Sequence, residues 1–338
     1  MSFKSELRTL GFRIESNPYT QETDFTSSDY DLRVSNLEYD PQVMETARKL
    51  ARGDLSVDSS IIGKKSIKIK FRAEVYAANA NNVPSYGKCL QACGYSQEDV
   101  FGEGHALVGS TFTPDSTMTN VPATIEIVEK AEGTSPKQIV VAAYGCMGNA
   151  TWLFDGVGKP IAIDFEFDGA FAGFSEREYA SIIAPIINDT EPCPPLISSA
   201  ITYDEKEQVL DNLKMSLGCK VELYSSPSPS CGFLGAHIVS RDPSIEFDPD
   251  LQTITDEEYW TNFITQDNKL AFKAIIGAVN SRALRFDAPT AQIVQALKPK
   301  DREGHVTHQV KLRLVRGAAG DDEFSFREGT SAWIDTDL

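Results

Sequence analysis

The chain has 338 residues, with 32 Lys and Arg against 49 Asp and Glu and a net charge of −17 at pH 7. That length suits two compact units of about 150 residues each. The acidic balance excludes general attraction to a phosphate backbone, so a DNA or RNA binder of the basic-groove kind is not expected.

Residues 1–20 carry charges every few positions and no apolar core of a secretory signal, and no run approaches about 18 apolar residues. A soluble protein made in a cytoplasm is the expectation. Six cysteines, Cys89, Cys93, Cys146, Cys193, Cys219 and Cys231, are too few for a disulfide framework and read as buried thiols.

The segment from Asn17 to Ser60 has no clear period and reads as an extended arm. The first clear element follows it: Ile67, Ile69, Phe71, Ala73 and Val75 alternate with Lys68, Lys70, Arg72 and Glu74, the period of a half-buried strand. After Pro84 and Ser85, Tyr86, Cys89, Leu90 and Cys93 fall at i, i+3, i+4 and i+7, a short core helix with Gly94 as C-cap. Ser96 to Pro122 is rich in Gly, Ser, Thr and Asp without a period, and loops of that length usually serve function or an interface. Strands are predicted at Ala123 to Glu129 and Gln138 to Tyr144, with a further segment around Trp152. A strand from Ile161 to Phe167 turns Ile161, Ile163, Phe165 and Phe167 inward and Asp164 and Glu166 outward, and is expected to end in a turn at Asp168 and Gly169.

Pro192, Pro194 and Pro195 mark a linker at 191–198 between a first unit, 1–190, and a second, 199–338. In the second unit a short strand lies near Ile245 to Phe247. A capping box of Thr255 and Glu258 then opens a helix presenting Tyr259, Trp260, Phe263 and Ile264 on one side. Strands at Leu270 to Ile276 and Arg282 to Phe286 join near Asn280, and after a segment around Ile293 comes the strand Val310 to Val315. This order repeats that of the first unit, down to Asp168-Gly169-Ala170-Phe171 and Arg316-Gly317-Ala318-Ala319 after the last strand. A duplicated module follows. Helices this short need a sheet to pack on.

No site for chemistry emerges. Cys89 and Cys93 have ligand-like spacing but share the apolar stripe of their helix, and His105, His237, His305 and His308 are scattered, reading as solvated loop residues. Tyr144-Gly145-Cys146-Met147-Gly148 resembles a nucleophile elbow but has no helix after it, and no phosphate-binding glycine motif occurs. The expectation is a non-enzyme without cofactor or metal.

Several segments resemble the tail tube proteins of long-tailed bacteriophages. They are the strand Ile62 to Val75 (I-G-K-K-S-I-K-I-K-F-R-A-E-V), the helix Tyr86 to Tyr95 (Y-G-K-C-L-Q-A-C-G-Y), Tyr144 to Asn149 (Y-G-C-M-G-N) and Pro160 to Phe171 (P-I-A-I-D-F-E-F-D-G-A-F). Arg241 to Phe247, Glu258 to Trp260 and Leu312 to Arg316 are similar to longer members of that kind, while Met147 stands where a basic residue is expected.

The resemblance implies a mainly β (α+β) fold of two tandem β-sandwich or barrel modules, each with one flanking helix, with core residues Tyr86, Leu90, Cys93, Tyr259, Trp260 and Phe263. It implies homotrimeric rings of six modules, or hexamers of chains, stacked into the tail tube of a virion assembled in the host cytoplasm. Other tail proteins would sit at the tube ends, genomic DNA would pass unbound, and no membrane would be involved. Six four-stranded sheets at roughly 4.8 Å spacing and about 40° tilt close to a diameter on the order of 50 Å. Glu126, Glu129, Asp164 and Glu166 are expected to line an acidic lumen. Asn17, Tyr19, Leu32, His105, Thr111 and Phe112, on the arm and the Ser96 to Pro122 excursion, are expected to join stacked rings.

Two other readings remain at this point. A duplicated carbohydrate-binding or adhesin-like module would use Trp152, Trp260 or Trp333 as exposed platforms, and a thiol hydrolase would centre on Cys146.

Overall fold

The computed structural model describes residues 3–48, 59–75, 84–102, 107–118, 121–131, 137–177, 195–197, 199–250, 259–265, 269–279, 282–295, 298–302, 304–318 and 320–334. The fold is mainly β with few, short helices. In the first half lie β1 (Phe3–Ile14), β2 (Val34–Thr46), β3 (Ile61–Glu74), α1 (Gly87–Gln91), β4 (Tyr95–Phe101), β5 (Leu107–Pro114), β6 (Ala123–Ala131), β7 (Gln138–Phe154) and β8 (Ala162–Arg177). The second half begins with β9 (Ala200–Tyr203), β10 (Lys206–Glu207), β11 (Leu213–Ser216), β12 (Cys219–Ser225), β13 (Phe233–Arg241), β14 (Ser244–Phe247) and α2 (Tyr259–Thr265). It closes with β15 (Leu270–Val279), β16 (Arg282–Ile293), β17 (Lys298–Arg302), β18 (His305–Leu314), β19 (Ser325–Thr330) and α3 (Ser331–Ile334).

Six strands of the first half pair antiparallel in the order β1-β6-β7-β8-β3-β2. Six of the second pair in the order β9-β15-β16-β18-β14-β11. Numbered along the chain within each half, both orders read first, fourth, fifth, sixth, third, second, and a short helix follows the third strand in each. The registers agree too. One extra residue bulges between Ala143 and Cys146 opposite Ala123 to Ile125, and again between Ala288 and Ala291 opposite Leu270 to Phe272. Counting outward from that shared bulge makes Phe167 equivalent to Leu312, Ile69 to Ile245, Phe71 to Phe247 and Tyr39 to Met215.

Each half folds two layers face to face. In the first, Phe12 of β1 meets Phe167 of β8 with ring centroids 5.3 Å apart; in the second, Tyr203 of β9 meets Phe247 of β14 at 6.4 Å. β7 and β8 serve both layers of the first half, bending where their ladder is interrupted between Tyr144 and Met147. Gly145 there has φ +59, and a Cβ added to Gly169 would lie 2.4 Å from the Cys146 sulfur, so both positions need glycine. The turn expected at Asp168 and Gly169 is therefore a mid-strand bend, and β8 runs on to Arg177. In the second half the equivalent stretch is broken: β18 stops at Leu314, Arg316-Gly317 opens an insertion, and β19 resumes the pairing with β16.

The halves are joined by β11, which pairs with β14 on one side and β7 on the other, and by β5 with β19. Their cores merge: Trp152, Phe286, Phe324 and Phe326 pack ring against ring, and Phe326 also meets Phe112 at 5.5 Å. Ser96 to Pro122 is accordingly not a free excursion. It forms the β4-β5 hairpin, whose Phe112 is fully buried. Removing it would strip the core, so its hairpin is part of the fold before it can serve any contact between rings. Nor is the arm from Asn17 to Ser60 aperiodic, since β2 pairs along β3 through most of its length. Of the expected linker only Pro195 to Ile197 are described, with Pro195 bridged to Pro160.

Candidate functional site

The two halves together build one continuous sheet of eight strands, in the order β2-β3-β8-β7-β11-β14-β18-β17. One face packs on the core. The alternation that buries Ile67, Ile69 and Phe71 turns Lys68, Lys70 and Arg72 to the other face, directly opposite Asp168, Glu166 and Asp164 of β8. Arg72 grips Asp164 with two hydrogen bonds of 2.7 and 3.1 Å. Lys68 and Lys70 reach Glu166 at 3.1 and 3.2 Å, and Lys68 also lies 3.7 Å from Asp168. Burial alone would raise the Glu166 pKa, but hydrogen bonds from Lys68 and Lys70 outweigh it and hold the carboxyl below its usual value. Asp168 sits deeper, and burial keeps its pKa above the usual value despite Lys68.

The second half repeats this ladder with signs exchanged. Glu246 and Lys311 occupy the positions of Lys70 and Glu166 and pair at 2.7 Å; Arg313 pairs with Asp242 at 2.8 Å. Half-exposed ion pairs contribute only ~0–1 kcal/mol each. Their larger effect is to neutralise a face that would otherwise present free cations.

Asp164 and Glu166 thus share one polar face, as expected, but as paired charges. Glu126 and Glu129 do not join them. Glu126 is buried on β6, where it accepts hydrogen bonds from Tyr30 (2.6 Å) and Arg177 (2.8 Å), because β1 and the turn at Tyr30 cover its strand. Glu129 pairs with Arg8 at 2.8 Å, in the other layer of the sandwich. Neither can line a bore with that face. The cations of β3 and β18 were missed as site residues, although their alternation with Ile and Leu was the available signal.

Among the expected stacking residues, Leu32 and Phe112 are buried in the chain's own core, which corrects that assignment. Tyr19 packs on Gly145 and Gly235, Thr111 lies in the β5-β19 ladder, Asn17 is exposed, and His105 falls outside the described residues. Tyr86, Leu90 and Cys93 are buried as expected, and Tyr259 is too. Trp260 is not: it is 39% exposed and Ile264 75%, because α2 seats Tyr259 and Asn262 instead, with Phe263 half-buried. The Thr255 and Glu258 capping box lies outside the described residues. His308, expected in a solvated loop, is buried on β18, edge-on to Trp260.

The two other readings fare differently. Trp152 is fully buried and Trp333 lies over Gly109 and Gly329, so of the three tryptophans only Trp260 is exposed enough to serve as a platform, edge-on to His308. Cys146 is fully buried, and burial pushes its thiol well above the usual value, which disfavours the thiolate a nucleophile needs. Among the described residues no cluster of three metal-ligating side chains occurs, and no helix is long and apolar enough to cross a membrane. No protein-family model and no curated protein matches the chain.

Proposed function

We propose that the chain is a structural virion protein whose copies form stacked rings, the tail tube of a long-tailed phage, through which the genome passes without specific binding. The observation that carries this reading is the eight-stranded sheet: two four-stranded modules of one register stand side by side in it. Its outer edges, on β2 and β17, have no partner strand among the described residues. An arrangement repeated once within a chain extends to further chains by the same operation, and a heterologous contact of that kind closes as a ring or runs on as a filament. Three chains supply about 24 strands, whose barrel on the order of 50 Å across is too wide for side chains to fill.

The polar face would line the bore. The bare acidic wall expected from the net charge is replaced here by a neutralised one, in which Asp164, Glu166 and Asp168 occupy Arg72, Lys70 and Lys68. Each free cation would add salt-dependent affinity for passing phosphate, and paired ones do not. At the end of the β2-β3 ribbon, Met44 and Ile62 are 56% and 62% exposed, the kind of apolar surface that contact between stacked rings would cover. The partners are other copies, other tail proteins at the tube ends and DNA in transit, with no membrane.

Negative-stain microscopy of the purified protein tests the class. Rings or hollow cylinders are expected; dispersed single particles at every concentration would contradict it.

A further inference from the structure

Within the chain, β11 seals the edge of β7 in a defined register: Lys214 faces Leu153, Met215 faces Trp152 and Ser216 faces Thr151. The shared register of the two halves says which residues occupy the same positions at the two open edges. On β2, Glu38, Tyr39 and Asp40 are equivalent to Lys214, Met215 and Ser216. On β17, Lys298, Pro299 and Lys300 pair with Gln309, His308 and Thr307 as Thr151, Trp152 and Leu153 pair with Asp164, Ile163 and Ala162. They are therefore equivalent to Thr151, Trp152 and Leu153. We infer that β2 of one copy pairs antiparallel with β17 of the next, Glu38 opposite Lys300, Tyr39 opposite Pro299 and Asp40 opposite Lys298, repeating between chains the junction that β11 and β7 make within one. The inference rests on the assembly reading above and names its seam.

The chemistry of the two edges fits this register independently. Glu38 and Asp40 are exposed, as are Lys298 and Lys300, and the register sets each acid against a base on the polar face. Directly opposed side chains lie about 4.5–5.5 Å apart at Cβ, within ion-pair reach. The pairing would extend the ladder of Lys70 with Glu166 and of Glu246 with Lys311 across the seam. On the opposite face, Tyr39, whose hydroxyl donates to Glu129 at 3.2 Å within its own chain, would stand beside the edge where Pro299 and the half-exposed Trp260 are uncovered. Pro299 and Pro41 cost little here. By the alternation of the ladder their backbone groups face the open side, so each withholds one donor from the seam and disturbs no existing bond. Leu37, whose carbonyl takes a 3.5 Å hydrogen bond from Arg8, marks the end of the pairing.

Lysine and proline on an edge strand also serve to keep strands apart, and the experiment separates the two roles. Three full-length variants are compared with the parent by light scattering after size exclusion and by negative stain, with far-ultraviolet dichroism as the folding control. They are Lys298→Glu with Lys300→Glu, Glu38→Lys with Asp40→Lys, and all four together. Each double variant should lose assembly and elute as single folded chains; the quadruple variant, with the charges exchanged across the seam, should regain it. Asp40→Cys with Lys298→Cys should form covalent multimers on a non-reducing gel, whereas Asp40→Cys with Lys300→Cys, two residues out of register, should not. A parent that assembles while both double variants assemble equally well would overturn this seam and leave the assembly reading standing. A parent that stays monomeric would overturn both.

Discussion

The Tyr86 hydroxyl donates a buried hydrogen bond to the Glu328 carboxylate, 242 positions away in the chain. It ties α1 of the first half to β19 of the second inside the shared core, where both residues are fully buried. Tyr86→Phe keeps the ring packed against Phe112 and Phe326 but withdraws a donor from a buried carboxylate. A loss of about 1–3 kcal/mol in chemical denaturation is expected. The parent should unfold in one transition, because the aromatic core is common to both halves. Two separated transitions would mean that the halves fold independently.

Glu15 gives a pH signature. Burial raises its pKa, even though Gly145, Thr124 and Thr20 donate to it at 2.6, 3.0 and 3.2 Å. A raised folded-state value means that the group's contribution is fully present below the unfolded value, about 4.3, and is lost as pH rises through the folded one. Whatever Glu15→Gln loses in hydrogen bonding is the same at every pH. The stability of the variant minus that of the parent should therefore be flat below about pH 4 and grow in the variant's favour above it. Urea denaturation across pH 3.5 to 7.5 measures this, and a difference that shrinks with rising pH would refute the assignment.

The charge ladder is testable by release. Asp164→Asn, Glu166→Gln and Asp168→Asn together free Lys68 and Lys70 and leave Arg72 only its 3.7 Å contact with Asp155, while keeping side-chain shape. The parent should bind duplex DNA no tighter than about 10⁻⁴ M, and the triple variant should bind measurably at 50 mM salt with affinity that falls steeply as salt rises. Fluorescence anisotropy of a labelled duplex reads both. Equal, negligible binding would show that pairing is not what keeps the face inert.

Cys146 should resist alkylation. Iodoacetamide at neutral pH is expected to leave Cys89, Cys93 and Cys146 unmodified in the folded protein and to label them in denaturant, because all three are fully buried with thiols raised by burial. Rapid labelling of native Cys146, read by peptide mass spectrometry, would revive the thiol-hydrolase reading.

Strands such as β3 and the first part of β8 are legible in the sequence because one face is water-exposed and charged, so hydrophobicity alternates cleanly. β5 is not. It is covered on both sides, and Gly109 lies where Trp333 crosses so closely that a Cβ would come 2.5 Å from the ring. Glycine and serine there make a buried strand look like a loop. The order of elements in the two halves was visible, but their equivalence resides in register and a bulge, with only a few positions such as Ile69 and Ile245 alike. The ladder was half legible. Asp164 and Glu166 stood out as an outward pair, but their partners 92 and 98 positions away depend on β3 lying beside β8. The edge charges on β17 sit in Lys298-Pro299-Lys300-Asp301-Arg302, which has no apolar alternation to mark a strand.

In the proposed assembly the repeated four-stranded module continues from chain to chain. End-on class averages from cryo-electron microscopy of the assembled protein, with chain number fixed by native mass spectrometry of single rings, test it most directly. Six equivalent lobes from three chains around an open bore are the expected result. A solid particle, or a ring whose lobes equal its chains in number, would contradict it.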